Sequence, residues 1–222
     1  MLFLNDFTFT YYYLAALLVA VIGLYRWFQL TLSLRLLLFY IVIGPFSTLF
    51  STLFLEGLND SVMLNLIRIM QMSLLGSAFV LHMEKGSLRK ITVIVVGGAL
   101  LFALVNFFFL QGMTTGNTYT LYAAAGLALF LGLSYLHSFE LGENLRHALL
   151  QPWTLFSMAI VAQSLNDVAY SIIFTRAVES GLFGISSLGK IHRVIHLLYF
   201  IIITVGLLRQ RKQTPKPQWT VS

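Results

Sequence analysis

Lys190-Ile-His-Arg-Val-Ile-His-Leu-Leu-Tyr199 puts two imidazoles, a guanidinium and a phenol at the head of the last apolar run of the chain. His192, His196 and Tyr199 fall at i, i+4 and i+7, so they share one helical face. Imidazoles can carry protons near neutrality or ligate metals, and a guanidinium can hold an anion. Ionisable groups inside a membrane helix are costly and by default face a protein interior or a water-filled cavity. That face of the run is therefore expected to look onto a site.

Two other runs carry matching faces. One has Ser61, Asn65 and Arg68 at helical spacing with Gln71 beside them; the other has Gln163, Asn166, Asp167 and Tyr170. With a helical rise of about 1.5 Å per residue, Arg68, near the start of its helix, and Asp167, near the end of its own, lie roughly 10 Å from the same end of an antiparallel bundle. His192 and His196 lie about 5–10 Å from that end by the same rise. Three helices thus present polar residues to one layer, while their other halves are nearly all apolar. The candidate ligand-binding set is Asn65, Arg68, Gln71, Gln163, Asn166, Asp167, Tyr170, His192, Arg193, His196 and Tyr199. A buried network that only fixes helix packing is the alternative, with Arg68 paired to Asp167. Interhelical hydrogen bonds in bundles average only about 0.6 kcal/mol, which is little reason to keep so many.

The chemistry this set excludes is as useful. With no cysteine, disulfides, thiolate metal sites and cysteine nucleophiles are absent. A histidine pair at i, i+4 can bind a metal from one face. Here Asp167 is the one embedded carboxylate and Arg193 adjoins the pair, so no metal is expected. Nor is a haem, because His82, His137 and His147 lie toward the opposite side. No nucleophile–base pair or phosphate-binding glycine loop is recognisable, so no catalytic residue and no cofactor are assigned. A retinal protein would need a lysine in mid-span, and Lys190 stands at a helix end.

The elements that position these faces follow from composition. The chain is 58% hydrophobic and 10% charged. Soluble domains carry about 25% charged residues, so this one reads as an integral membrane protein. Runs long enough to cross the hydrocarbon core occur at roughly 9–27, 35–55, 61–83, 90–111, 118–137, 152–174 and 189–208. The expected fold is all-α: a polytopic, single seven-helix transmembrane bundle over residues 1–208, followed by a short basic tail, 209–222. The first run has no basic residues before it, so it is expected to stay as a helix and not be cleaved as a signal peptide. The segment 138–151 is expected to form a short surface helix. Pro45, with Gly44 before it and Ser47, Thr48, Ser51 and Thr52 after it, should kink the second helix, with the hydroxyls satisfying freed carbonyls. Ala124, Ala128 and Gly132 form a small-residue strip suited to close helix packing.

Lys and Arg set the orientation. An outside N-terminus gives the cytoplasmic side Arg26, Arg35, Lys85, Arg89, Lys90, Arg146, Arg209, Arg211, Lys212 and Lys216, and leaves Arg176 and Lys190 outside. Ten basic residues against two predict an outside N-terminus and a cytoplasmic C-terminus. The same bias explains a pI near 9.7 without nucleic acid.

Asn59-Asp60 before the third run, Ser164 to Asn166 in the sixth and Ile191-His192 at the head of the seventh resemble a loosely defined group of small seven-helix bacterial membrane proteins. That group is associated with histidine-kinase signalling modules. Its third helix usually shows a His and a Glu where this chain has Asn65 and Gln71. The resemblance implies a bacterial inner-membrane location and a sensory or accessory role with a histidine kinase or other signalling partner. The expected function is a membrane-embedded sensor or receptor-like module, taking a proton or a small anionic or lipid ligand from the bilayer or the outside. The alternatives are a small-molecule or proton-coupled transporter and an integral membrane enzyme. Carrier sites usually lie nearer the midplane.

Overall fold

In lipid, a backbone must satisfy its own N–H and C=O groups, and a chain this apolar does so by coiling into helices. The computed structural model describes residues 7–54, 60–84, 86–111, 118–138, 151–179 and 185–210. Among them are seven α-helices and no strand: α1 Phe7–Tyr25, α2 Leu32–Phe54, α3 Asp60–His82, α4 Ser87–Val105, α5 Thr118–Ser138, α6 Pro152–Glu179 and α7 Ile185–Arg209. A single 3-10 turn, Trp27–Gln29, joins α1 to α2, and α4 closes in a π turn, Asn106–Leu110. Helices α3 to α7 are long and apolar enough to cross a membrane. Helices α1 and α2 are apolar over the shorter stretches Thr10–Tyr25 and Leu32–Ser47. The sixth and seventh helices run further than their apolar runs do, to Glu179 and from Ile185, because helix continues through polar residues once its first turns are formed. All but the two end residues of the surface helix expected at 138–151, the tail from 211 and the side chains of Thr48, Ser51, Thr52 and Ser61 lie outside the described residues.

Six helices close a ring. The neighbours are α1 and α2, α2 and α3, α3 and α5, α5 and α6, α6 and α7, and finally α7 and α1, while α4 packs on the outside against α3 and α5. The exclusion of α4 follows from its residues: within Ser87–Val105 only Thr92 and Ala103 are buried, and Ile91, Ile94 and Leu101 are exposed. In water such a surface would aggregate; in a bilayer it meets lipid. Asn106, fully buried in the π turn, donates from Nδ2 to Thr120 Oγ1 at 3.0 Å and to Gln111 Oε1 at 3.2 Å, which ties the end of α4 to the start of α5.

One end of the ring is filled with carbon. Phe79, Phe156, Phe200, Leu37, Leu131 and Ile203 are all 2% exposed or less. His82 lies flat on Trp153, ring centroids 3.8 Å apart, with Phe79 and Tyr135 packed around them. Close backbone approaches make this possible. A Cβ on Gly206 would run into the Phe156 ring, and one on Gly132 would stand 3.2 Å from the Ser157 carbonyl. The small-residue strip of α5 is therefore used inside the ring: Gly132 meets α6, and Ala128 is 3% exposed. At the same end Arg26 donates to the carbonyls of Leu207 and Leu208, capping the C-terminus of α7, where a cation is favoured. Arg35 reaches back to the Trp27 carbonyl at 3.1 Å with its guanidinium over the Trp27 ring.

Candidate functional site: a polar cavity with a histidine–aspartate cluster

The other end of the ring holds two cavities that share walls. The wider, about 660 Å³, is lined by residues near the starts of α1, α3, α5 and α7 and the ends of α2 and α6. The deeper, about 170 Å³, is bounded below by Met72, Leu75, Ala128 and Phe200. Tyr12, Gly44, Arg68, Gln71, Leu121, Asp167 and His196 line both, so every ring helix contributes and α4 does not. Apolar floor and polar wall make one tapering space.

Most of the candidate residues meet there. Arg68, Gln71, Asp167 and His196 face both cavities; Gln163 and Tyr199 face the deeper one; Tyr170, His192 and Arg193 the wider one. The equal depth read for Arg68 and Asp167 places them on one space. Asn166 lines neither cavity and instead holds His192, Nδ2 to Nδ1 at 2.9 Å. Asn65 stands apart: it is 1% exposed, lines neither cavity, and its Nδ2 has no hydrogen-bond partner among the described residues. Tyr199, 7% exposed, belongs as much to the core as to the cavity.

The histidine face is held from three directions. Tyr170 of α6 stacks on the His192 ring at 4.1 Å between centroids and 17° between planes. Tyr12 of α1 meets the His196 ring edge-on at 5.5 Å. Between them, Nε2 of His192 and Nε2 of His196 are 3.1 Å apart. The Asp167 carboxylate stands against both, its Oδ1 3.3 Å from His196 Nε2 and 3.9 Å from His192 Nε2. The Gln163 amide completes the group, 2.6 Å from Asp167 Oδ1 and 2.6 Å from His196 Nε2. Asp167 is a third exposed and the two histidines about a fifth, so the cluster borders the cavity without being sealed.

Several lining residues carry no signal that hydropathy resolves. Tyr12 and Tyr13 stand at the head of the first apolar run, where tyrosine commonly anchors a helix at the membrane–water interface, yet both face the wider cavity, and Tyr12 the deeper one also. Tyr40, Gly44 and Ser47 come from α2 around Pro45. There Pro45 sits inside a helix that runs unbroken from Leu32 to Phe54, and on either side of it Ser47 Oγ donates to the Gly44 carbonyl at 2.8 Å and Gln71 Nε2 to the Tyr40 carbonyl at 3.4 Å. Gly44 is what admits that amide, since a Cβ there would stand 2.8 Å from Gln71 Nε2. A polar residue opposite a proline in mid-helix is the one clue that could have joined α2 to the site. Comparison of the chain with protein-family models, with curated proteins and with solved structures gives no match.

Proposed function

We propose that the chain is a seven-helix membrane module that takes a small ligand into the polar cavity of its outer half and passes the binding event to a partner protein. The observation that carries this reading is the wide cavity: two arginines, an aspartate, two histidines and three tyrosines surround about 660 Å³ inside a lipid-facing ring. A packing network fills its own space, and this one leaves room for a ligand of metabolite size, within the usual range of roughly 300–1,000 Å³ for such sites. Arg68 and Arg193 suit an anionic group on that ligand. All seven helices cross the membrane in this reading, with the N-terminus outside. Support comes from Arg26, Arg35, Arg89 and Arg209, which gather at the carbon-filled end, while Arg176 and Lys190 flank the cavity end.

The sensor reading is preferred to a carrier because the space tapers onto Met72, Leu75 and Phe200, with the His82–Trp153 cluster at the far end of the ring. A carrier needs a second opening, and that end offers close-packed aromatic rings. A histidine kinase, or another signalling protein of the bacterial inner membrane, is the proposed recipient of the output. Native mass spectrometry of the purified protein tests the ligand reading. The expected result is a discrete small-molecule adduct on the wild-type chain, with its occupancy sharply reduced by Arg68→Gln. An adduct population identical in the two proteins would count against an anion held at this cavity.

A further inference from the structure

The two histidine nitrogens and the carboxylate oxygen of the cluster have a geometry that protons satisfy poorly. His192 Nε2, His196 Nε2 and Asp167 Oδ1 form a triangle with sides of 3.1, 3.3 and 3.9 Å. A single point therefore lies about 2.0 Å from all three atoms, which is one zinc–nitrogen or zinc–oxygen bond length. With neutral imidazoles and the amides oriented as found, Asn166 donates to His192 Nδ1. His192 Nε2 then carries a hydrogen aimed at His196 Nε2, which already receives the Gln163 amide. Two donors thus compete for one lone pair. Meanwhile Gln163, 8% exposed, leaves its buried Oε1 without a partner among the described residues.

Turning an amide over exchanges its oxygen and nitrogen in place, and reversing both amides resolves the conflict. His192 Nδ1–H then donates to the Asn166 carbonyl oxygen, which frees Nε2 as a lone pair. The Gln163 oxygen moves to the cluster. The contacts given up are the 3.5 Å one from Asn166 to the His192 carbonyl and the two 2.6 Å ones that the Gln163 N–H groups make to Asp167 and His196. With His196 in its Nδ1–H tautomer, two imidazole lone pairs, a carboxylate and an amide oxygen then converge with no proton between them. That arrangement repels itself unless a cation stands at its centre.

We propose that Asp167, His192 and His196 bind a divalent first-row transition-metal ion, with Gln163 beside them and Asn166 orienting His192. Two nitrogens and a carboxylate suit zinc or its neighbours, whereas magnesium and calcium prefer all-oxygen shells. Arg193 works against a cation, since its charge reaches His192, but it stands to one side of the three ligands. Its Nη2 lies 3.9 Å from the Cβ position of Gly189, so the guanidinium folds back toward the start of α7. An ion with three protein ligands keeps a position for an outside group, and the wider cavity lies alongside. The proposal deepens the ligand reading, since such an ion would hold an anionic ligand from one side and the arginines from the other.

The test uses the full chain in detergent, stripped with chelator, desalted and then given zinc. Elemental analysis after a second desalting is expected to find about one zinc per chain, and zinc, unlike magnesium at equal concentration, is expected to raise the melting temperature. Asp167→Ala and the double change His192→Ala with His196→Ala should each lose both effects. Asn166→Leu leaves all three ligands in place, and loss of its orienting bond should weaken zinc affinity about 10–100-fold, which keeps the proposal testable if the ligand variants fail to fold. Zinc bound equally by wild type and the double-histidine variant, or no zinc-dependent change in folded wild type, overturns it. Zinc that binds at the cluster while no small-molecule adduct depends on Arg68 would defeat the anionic-ligand reading and leave the metal site standing.

Discussion

Arg68 and Asp167 approach one cavity from α3 and α6, and their charges are opposite. In so apolar a ring each is costly without the other, so their contributions are expected to couple. In chelator-treated protein, Arg68→Ala and Asp167→Ala should each lower detergent stability, and the double change should cost less than their sum by about 0.5–3 kcal/mol. Additive losses would mean that the two side chains answer to different partners. Asn65 supplies the contrast. Its Nδ2 is buried and unpartnered among the described residues, so Asn65→Leu removes a desolvated group and fills similar space. The change is expected to leave the melting temperature level or raise it, by no more than about 1–3 kcal/mol of stability. A large loss would return Asn65 to the site. At this scale the residue types were legible and their directions were not. The face of His192 and His196 follows from spacing alone. Whether Arg193 turns toward that face or back along α7 depends on rotamers that one-dimensional spacing does not contain.

Among the elements, α3, α6 and α7 were readable because polar residues in an apolar helix mark one side of it. For α1 and α2 the apolar residues run all round, and nothing in them fixes which side faces the ring. Tyr12 therefore looked like a belt residue and Tyr40 like nothing in particular. The exclusion of α4 was equally hidden, since lipid and a neighbouring helix ask for the same side chains. Glycine contacts test the helix arrangement directly. Gly206→Ala drives a methyl into the buried Phe156 ring. Overpacking of this kind typically costs about 1–3 kcal/mol. Gly98→Ala on α4 meets nothing within 4 Å. That change should gain from helix propensity, by up to about 1 kcal/mol. Thermal melts of the two variants should move in opposite directions. A destabilising Gly98→Ala would mean that α4 is covered by something other than lipid.

At the scale of the whole molecule, orientation and access decide what the cavity can bind. The basic residues predict a cytoplasmic C-terminus. A C-terminal alkaline phosphatase fusion should accordingly be inactive and a C-terminal fluorescent protein bright. The reverse pair of results would turn the cavity toward the cytoplasm. Access itself is measured by thiol labelling, which the absence of native cysteine makes clean. Ser47→Cys and Ser171→Cys place thiols on two walls of the wider cavity, and Ser164→Cys places one on the deeper cavity. Val194→Cys and Leu198→Cys stand on the exposed apolar side of α7, where lipid keeps a thiol from ionising. A membrane-impermeant thiol reagent added outside intact cells should label Ser47→Cys and Ser171→Cys fast, Ser164→Cys more slowly, and Val194→Cys and Leu198→Cys hardly at all. Uniformly slow labelling at the three cavity positions, in protein shown to be folded, would contradict a water-filled site and leave a packed polar network in its place.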